Sequence, residues 1–486
     1  MQNFSGWIAE EWTAREKLAR RRDVRLGGVL GAVSAGVGIA SWWGFTVDDA
    51  WIIARIAASI AADQGHRFNA GGAPVDAVTP LGFSWLLALM SPASPLAAFA
   101  LARWLGVIAH VIAATVMGMR LGALGTAPSR FLALAWFGIF SPIAPWCAAG
   151  METPLIVLLV VLGSGTGRRH AAALGLAAAW RPELLPLAIC LALGAAWVRG
   201  RGPGGGLQRL GLVLAPALTV AMLRQTLFGA SYPLAVLAKP AELNHGLRYA
   251  IGGLVFSGSA AMLSMGAGRH LGRWARVRMV AVAAHALALT LAGGDWMPLF
   301  RLWAPALPVV LWIAAEGCER VSPRRRAGLW LAAALCGALP VWQQLWDARA
   351  VEHRRLALVE EARPLLQGAE HVAALDVGWV GLATAAEVVD LAGVTDPEVA
   401  RLAGGHTSKR LPPDFARRRR LDAAVVLVDS GSTAPQIAPG LATRAVEQRL
   451  IAQLLPLGFS LRGVVPLSGT TQSYAVLRRD AGKDGG

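Results

Sequence analysis

A succession of apolar segments occupies residues 26–345, and it constrains the fold more than any other feature. About eleven of them approach the ~20 residues that a helix needs to cross a bilayer. Lipid offers no hydrogen bonds, so segments of this length must cross it as helices. A mean hydropathy of +0.49 is atypical of a soluble globular protein. The predicted spans are 26–44, 99–119, 128–145, 153–167, 170–181, 184–198, 208–228, 249–267, 277–293, 298–316 and 327–345.

Basic residues concentrate in every second loop between these spans. The chain has 46 Lys and Arg against 30 Asp and Glu, and a net charge of +16. This distribution is typical of cytoplasmic loops under the positive-inside rule, so it indicates a bilayer and no nucleic-acid partner. Residues 1–25 are therefore predicted to be a basic cytoplasmic N-terminus. The first segment is too long for a secretory signal and lacks a cleavage site, so we expect a retained helix.

The composition changes near residue 346, where charged residues begin to alternate with short apolar runs. This pattern predicts an α/β domain over 346–480, beginning with a helix at 351–366. An odd number of spans places this domain, and the first external loop at 45–98, on the periplasmic side. Residues 481–486 are predicted to be a disordered tail. The four Cys residues have neither disulfide nor metal-site spacing. The predicted strands are 373–380, 387–391, 423–428, 463–465 and 473–477.

Two adjacent carboxylates, Asp48 and Asp49, stand where the first span is predicted to leave the bilayer. A carboxylate at a membrane edge is costly to bury, so it is a candidate functional residue. One of the pair could accept a proton from an incoming hydroxyl group as a general base. The other could orient that group or bind a divalent cation. Alternatively, both are solvated acids at the N-terminus of a helix that starts near Ala50.

Further charged residues collect in the predicted outer loops. An Arg there can bind a phosphate with two hydrogen bonds, and a lone Lys can make a point contact with one. Ordinary alternatives exist: acids favour helix N-termini, basic residues can extend to lipid headgroups, and neighbouring opposite charges can simply pair. Asp-, Gly- and Thr-rich segments near 376–378 and 390–396 are typical of turns. The candidates for donor phosphate or substrate binding are Glu152, Arg181, Glu183, Lys239, Asp295, Arg301 and His406.

The ordered set of short motifs resembles the GT-C superfamily of membrane glycosyltransferases, and within it the terminal β-(1→2)-arabinofuranosyltransferase family. The resemblance covers about residues 45–430. Its motifs, in chain order, are Val47-Asp-Asp-Ala-Trp-Ile52, Gly65-His-Arg-Phe-Asn-Ala-Gly-Gly72, Val78-Thr-Pro-Leu-Gly-Phe83, Gly150-Met-Glu-Thr-Pro154, Arg181-Pro-Glu183, Gly294-Asp-Trp-Met-Pro298 and Asp390-Leu-Ala-Gly-Val-Thr-Asp-Pro397.

This resemblance implies a GT-C-like fold and an inverting sugar transfer on the outer face of the inner membrane. The implied donor is a polyprenyl-phosphate-linked sugar, and the implied acceptor is an envelope polysaccharide or glycolipid. It gives the general base to Asp48 and the donor phosphate to basic residues led by Arg181. No cofactor is implied with certainty, although Asp49 could bind a divalent cation. The alternative is a transporter or flippase of lipid-linked sugars, which would carry polar groups at the midplane of the bilayer.

Two segments depart from the family pattern. The stretch Pro74-Val-Asp-Ala-Val78 lacks the customary Glu-Gly-Tyr, and the loop before Lys239 lacks the customary Pro-Asn-Thr. Both changes could lie at the sugar or the acceptor site, so arabinofuranose itself is only one candidate for the sugar.

Overall fold

The computed structural model describes residues 14–123, 128–266, 272–429 and 438–479. Five described helices are long and apolar enough to cross a membrane, and four shorter apolar helices accompany them. The basic N-terminus is described only from residue 14, and the predicted disordered tail at 481–486 lies outside the described residues. The long helices are Arg21–Trp42, Pro95–Gly122, Pro203–Phe228, Arg273–Leu291 and Pro323–Leu366. The shorter ones are Leu132–Ala148, Thr153–Gly163, Pro182–Val198 and Ala304–Gly317.

Within the described residues, sixteen α-helices precede the first strand. They are α1 Ala14–Trp42, α2 Asp48–Ala61, α3 Leu81–Ala88, α4 Pro95–Gly122, α5 Pro128–Ala135, α6 Ala144–Ala148, α7 Thr153–Gly163, α8 Arg168–Trp180, α9 Leu185–Val198, α10 Pro203–Phe228, α11 Ala235–Ala238, α12 Leu243–Phe256, α13 Ser259–Gly266, α14 Arg273–Leu291, α15 Leu307–Gly317 and α16 Pro323–Leu366.

The described helices do not match eleven uniform spans. The predicted span 249–267 is two helices, α12 and α13, separated at Gly258, whose φ of +72° ends the first helix. A Cβ at this position would overlap the backbone of Ala333 in α16, so glycine is also needed for close packing. Apolar composition alone does not reveal such a break, because both helices are equally apolar.

The helix α16 is one continuous element of 44 residues. At 1.5 Å per residue it is about 66 Å long. It runs without interruption across the predicted domain boundary at 345/346, so the predicted span 327–345 and the predicted helix 351–366 are parts of the same helix. The change in composition along it marks a change of surroundings and no break in secondary structure.

The C-terminal region forms a five-stranded mixed sheet in the order β2-β1-β3-β5-β4. The strand β1 pairs in parallel with β2 and β3, whereas β5 pairs antiparallel with β3 and β4. Its elements are β1 His371–Ala374, α17 Val377–Ala383, β2 Glu387–Asp390, α18 Pro397–Ala400, α19 Phe415–Arg418, β3 Ala423–Asp429, α20 Ala445–Leu454, β4 Phe459–Pro466 and β5 Gln472–Arg479.

The predicted strand 373–380 is wrong beyond Ala374. The apolar run that follows is the helix α17, and its residues Val377, Trp379 and Val380 are buried. A short apolar run does not distinguish a buried strand from a buried helix, because both lack an alternating pattern. The turn between β1 and α17 contains Asp376.

The two faces of the sheet pack against different parts of the molecule. Along β3, Ala423, Val425 and Leu427 belong to a core that also contains Trp51 of α2 and Trp379 of α17. The alternate β3 residues face a second core, formed with α19 and α20. Because α2 belongs to the first external loop, that loop and the sheet share one hydrophobic core.

Candidate active site

A cavity of about 640 Å³ lies between the 45–98 segment and the helices α8, α10 and α14. Apolar residues of α10 and α14 form one wall, among them Ala217, Val220, Ala221, Ala288 and Leu291. Charged side chains lie around the rest of it. Six of the nine predicted site residues line the cavity: Asp49, Arg181, Glu183, Lys239, Asp295 and Arg301.

Arg301 joins two of the cavity carboxylates. Its Nη2 lies 2.9 Å from Oδ2 of Asp295, and its Nη1 lies 3.7 Å from Oδ2 of Asp49. Burial opposes the ionisation of Asp295, but Arg301, Lys239 and Arg181 outweigh it and lower the pKa of this carboxyl group. The expected pairing of Asp295 with Arg301 is therefore present. Asp49 is held more loosely, and 28% of its side chain is exposed.

Arg181 is held by two acids from different segments of the chain: Glu152, directly before α7, and Glu183, two residues after Arg181. Its Nε donates to Oε1 of Glu152 over 2.7 Å, and its Nη1 lies 3.8 Å from Oε1 of Glu183. Glu152 is fully buried behind Arg181 and does not line the cavity. It precedes α7 without capping it through its side chain. The ion pair therefore accounts for Glu152 better than a helix N-terminus does.

A second buried ion pair, Arg224 with Asp76, was missed by the sequence reasoning. Nε of Arg224 donates to Oδ2 of Asp76 over 2.8 Å, and Nη2 donates to the carbonyl oxygen of Val78 over 3.1 Å. Arg224 lines the cavity. A signal was available, because Arg224 is a charged residue within the predicted span 208–228, and such residues are functional candidates by default.

Lys239 differs from the three cavity arginines. Within the described residues, its ammonium group has no carboxylate within 4.0 Å, whereas Arg181, Arg224 and Arg301 each have at least one. The short helix α11 ends at Ala238, so Lys239 stands at a helix C-terminus on the cavity wall. Its three donors are available to an anionic ligand.

The structure separates the two adjacent carboxylates. Oδ2 of Asp48 accepts from the backbone N–H of Gly378 over 2.8 Å, and Oδ1 accepts from the N–H of Trp379 over 3.0 Å. Asp48 therefore contacts the first turn of α17, while Asp49 lines the cavity. This arrangement does not fit Asp48 as the general base, because both carboxylate oxygens of Asp48 accept backbone hydrogen bonds outside the cavity.

His406 lies near the cavity but does not line it. Its ring is 5.2 Å from that of Trp296, which stacks on His245 at 4.1 Å. Burial lowers the pKa of His406 to about 4, with Lys239 and Arg444 adding to the effect. The lowered pKa favours the neutral ring near pH 7, and a neutral ring can contact a hydroxyl group.

The other polar segments of the C-terminal region form turns, as their composition predicted. Asp390 accepts from the N–H groups of Ala392 and Thr395 over 2.7 Å each. Asp396 caps α18, and the buried Lys409 donates to two backbone carbonyls. In the described parts of the chain, no group of three or more His, Cys, Asp or Glu side chains could hold a metal ion. The possible cation at Asp49 therefore stays a prediction.

Among solved structures, the chain is similar to that of ArnT from Cupriavidus metallidurans in the apo state. The TM-score is 0.50 at 12% sequence identity, and the match covers 92% of this chain and 97% of that one. The chain therefore shares the overall fold of that protein. Residues 346–476 match a family described as a domain of unknown function, DUF8728. No curated protein matches the chain. Within this fold, the cavity lies where the 45–98 segment meets the apolar helices.

Proposed function

We propose that the protein is an inverting glycosyltransferase of the inner membrane that uses a polyprenyl-phosphate-linked sugar as donor. The observation that carries this proposal is that one cavity contains a loosely held carboxylate, Asp49, and a cation without a carboxylate partner, Lys239. The apolar wall of α10 and α14 suits a lipid chain, because α10 is mostly exposed and would face the bilayer. The ArnT-like fold supports the same reaction class.

The proposed reaction is a single displacement. The proton of an acceptor hydroxyl group moves to a carboxylate oxygen of Asp49, and the acceptor oxygen bonds to the anomeric carbon. The bond from that carbon to the phosphate oxygen breaks, and its electron pair leaves with the polyprenyl phosphate. Lys239, with Arg301 and Arg181 behind it, stabilises the negative charge on the leaving phosphate. Attack opposite the leaving group inverts the anomeric configuration.

We assign the base to Asp49 in place of Asp48. A general base must reach the proton that it removes, so it must face the substrate. Asp49 lines the cavity, and Arg301 keeps it close to the proposed phosphate site. Both oxygens of Asp48 accept backbone N–H groups of α17.

The two segments that depart from the family pattern meet on one wall of the cavity. The N–H of Leu234, in the loop before Lys239, donates to the carbonyl oxygen of Asp76 over 3.2 Å. The side chain of Asp76 in turn holds Arg224. Both departures lie next to the proposed donor site, so the proposed sugar is arabinofuranose or a similar sugar. An envelope glycan or glycolipid on the outer face is the proposed acceptor.

The test is sugar transfer in membranes supplied with a synthetic polyprenyl-phosphate-arabinofuranose and with related pentosyl and hexosyl donors. Asp49→Asn should lower the transfer rate by about 10²–10⁴-fold, the usual contribution of a general base. Asp63→Asn is the matched control, because Asp63 is an exposed carboxylate of the same loop. Its φ of +57° suits asparagine as well as aspartate.

Full transfer by Asp49→Asn would exclude Asp49 as the base. Movement of the donor across the membrane, with no glycosidic bond formed by the wild type, would favour the transporter alternative.

A further inference from the structure

The C-terminal region contacts the helix that carries the proposed base. Asp49 stands in the first turn of α2, and its neighbour Asp48 is bound through both carboxylate oxygens to the N–H groups of Gly378 and Trp379 in α17. The residue before α2, Val47, makes no capping hydrogen bond with its side chain. The start of α2 is therefore held from outside, by a helix about 330 residues further along the chain.

Two more contacts hold the first external loop to the same region. The side-chain amide of Asn69 donates to the carbonyl oxygen of Val388 and accepts from the N–H of the same residue, at 3.0 Å each. It thereby pairs with the free edge of β2. Arg55 of α2 donates to the carbonyl oxygen of Gly381 in α17, and its Nε donates to the carbonyl oxygen of Phe68 over 2.6 Å. These contacts fix α2 at its first turn, along its length and through the following loop.

The charges around Asp48 fix its position further. Asp376, in the turn before α17, accepts from the hydroxyl of Tyr474 over 2.7 Å and pairs with Arg444 over 2.8 Å. Arg355 of α16 donates to the same hydroxyl over 3.1 Å. Arg355 attracts the carboxylate of Asp48, and Asp376 repels it. Asp376, Arg444, Arg355 and Tyr474 each have a hydrogen-bond or ion-pair partner in this cluster. The charges next to Asp48 are therefore held in fixed positions.

We infer that the region matching the domain of unknown function acts as a clamp on α2, with Asp48 as the positioning residue that sets the direction of Asp49. This rests on the proposed function, in which Asp49 is the base. A rotation at the first turn of α2 would move Asp49 away from Arg301 and from the acceptor hydroxyl group. Small errors in the position of a reacting group cost large factors in rate. The clamp gives residues 346–476 a role in catalysis that does not depend on their own contacts with the substrate.

Gly378→Ala tests the clamp, because a Cβ at this position would overlap the backbone and carboxylate oxygens of Asp48. We expect the kcat for a synthetic polyprenyl-phosphate-arabinofuranose to fall about tenfold or more, with the KM for this donor within about twofold of the wild-type value. The amides of α2 should exchange with deuterium faster than in the wild type. Gly405→Ala is the control, since its Cβ would meet nothing closer than the Ser408 hydroxyl at 3.4 Å.

An unchanged kcat with unchanged exchange in α2 would overturn the inference. So would a loss of polyprenyl-phosphate binding that parallels the loss of kcat, because Gly378 and Trp379, which bind Asp48, do not line the cavity. Asn69→Ala supplies a second variant in case Gly378→Ala does not fold. It should also accelerate exchange in α2 and lower kcat less strongly. If the wild type transfers no sugar, the proposed function fails, and deuterium exchange in α2 alone decides whether the clamp exists.

Discussion

The cavity and the polar cluster around Asp48 contain similar side chains. The two sites differ in how completely these side chains are paired within the folded chain. In the cluster, Asp48, Asp376, Arg444 and Tyr474 all have hydrogen-bond or ion-pair partners in the folded chain. In the cavity, Lys239 has no carboxylate partner among the described residues, and Asp49 is held only at 3.7 Å. Buried polar groups that are fully paired make a structure rigid, whereas incompletely paired groups are available to a ligand. We therefore expect the first group to position the site and the second group to bind and react.

The largest effect on stability should come from breaking a buried ion pair in the cavity wall. Arg224→Ala leaves the carboxylate of Asp76 buried without its cation. Breaking a buried pair by removing one partner costs about 3–5 kcal/mol of unfolding free energy. Thermal unfolding in detergent checks this result. The double variant Arg224→Ala with Asp76→Asn should recover part of the loss, and equal losses in the two variants would show that the ion pair contributes nothing.

Replacing Lys239 is expected to have a smaller effect, which changes activity without changing stability. Lys239→Ala should raise the KM for the lipid-phosphate donor about tenfold, the loss of one charged hydrogen bond of about 1.4 kcal/mol. The unfolding midpoint should stay unchanged, because the ammonium group has no carboxylate partner in the described structure. Lys239→Arg should keep most of the affinity. A large loss of stability in Lys239→Ala would show that Lys239, like the three cavity arginines, has a partner within the folded chain.

The smallest effect is the pH dependence of stability due to Asp48. Burial raises the pKa of Asp48 to about 7, Asp376 adds to the rise, and Arg355 and the two amides oppose it. A carboxyl group with a raised pKa stabilises the folded state while it is protonated. This contribution is lost as the pH rises from about 4 to about 7.

The part of the unfolding midpoint that is due to Asp48 should therefore fall between about pH 4 and pH 7. The wild-type curve also contains other groups: the raised pKa values of Asp76, Asp390 and Glu447 add to this fall, and the lowered pKa of His406 opposes it. Asp48→Asn removes only the part due to Asp48, and its midpoint should fall less over the same range, by about 2–4 °C for each kcal/mol. Parallel curves for the two proteins would contradict the raised pKa of Asp48.

The sequence predicts the membrane class and most of the cavity because those signals are local. Apolar length and basic loops identify a polytopic protein, and a charge at the end of an apolar segment, such as Arg181 or Asp295, needs only its neighbours in the chain to be noticed. Arg224 is equally visible as a charged residue within the predicted span 208–228. Its partner Asp76 lies 148 residues away, and no local pattern joins the two.

Which of Asp48 and Asp49 faces the cavity could not be predicted in the same way. Two adjacent residues at a helix start differ in direction by about 100°, and which one faces the cavity depends on how α2 is rotated. That rotation is set by Gly378 and Trp379, about 330 positions away. The apolar run that contains them was itself predicted to be a strand. Long-range contacts of backbone amides leave no pattern in a single sequence.

The unbroken helix α16 connects the bilayer with the sheet that contacts α2. A rigid rod about 66 Å long turns a tilt of about 5° at one end into a displacement of about 6 Å at the other. Helices adjust their tilt to the thickness of the surrounding lipid. We therefore expect the geometry of the candidate active site to respond to the thickness of the surrounding membrane.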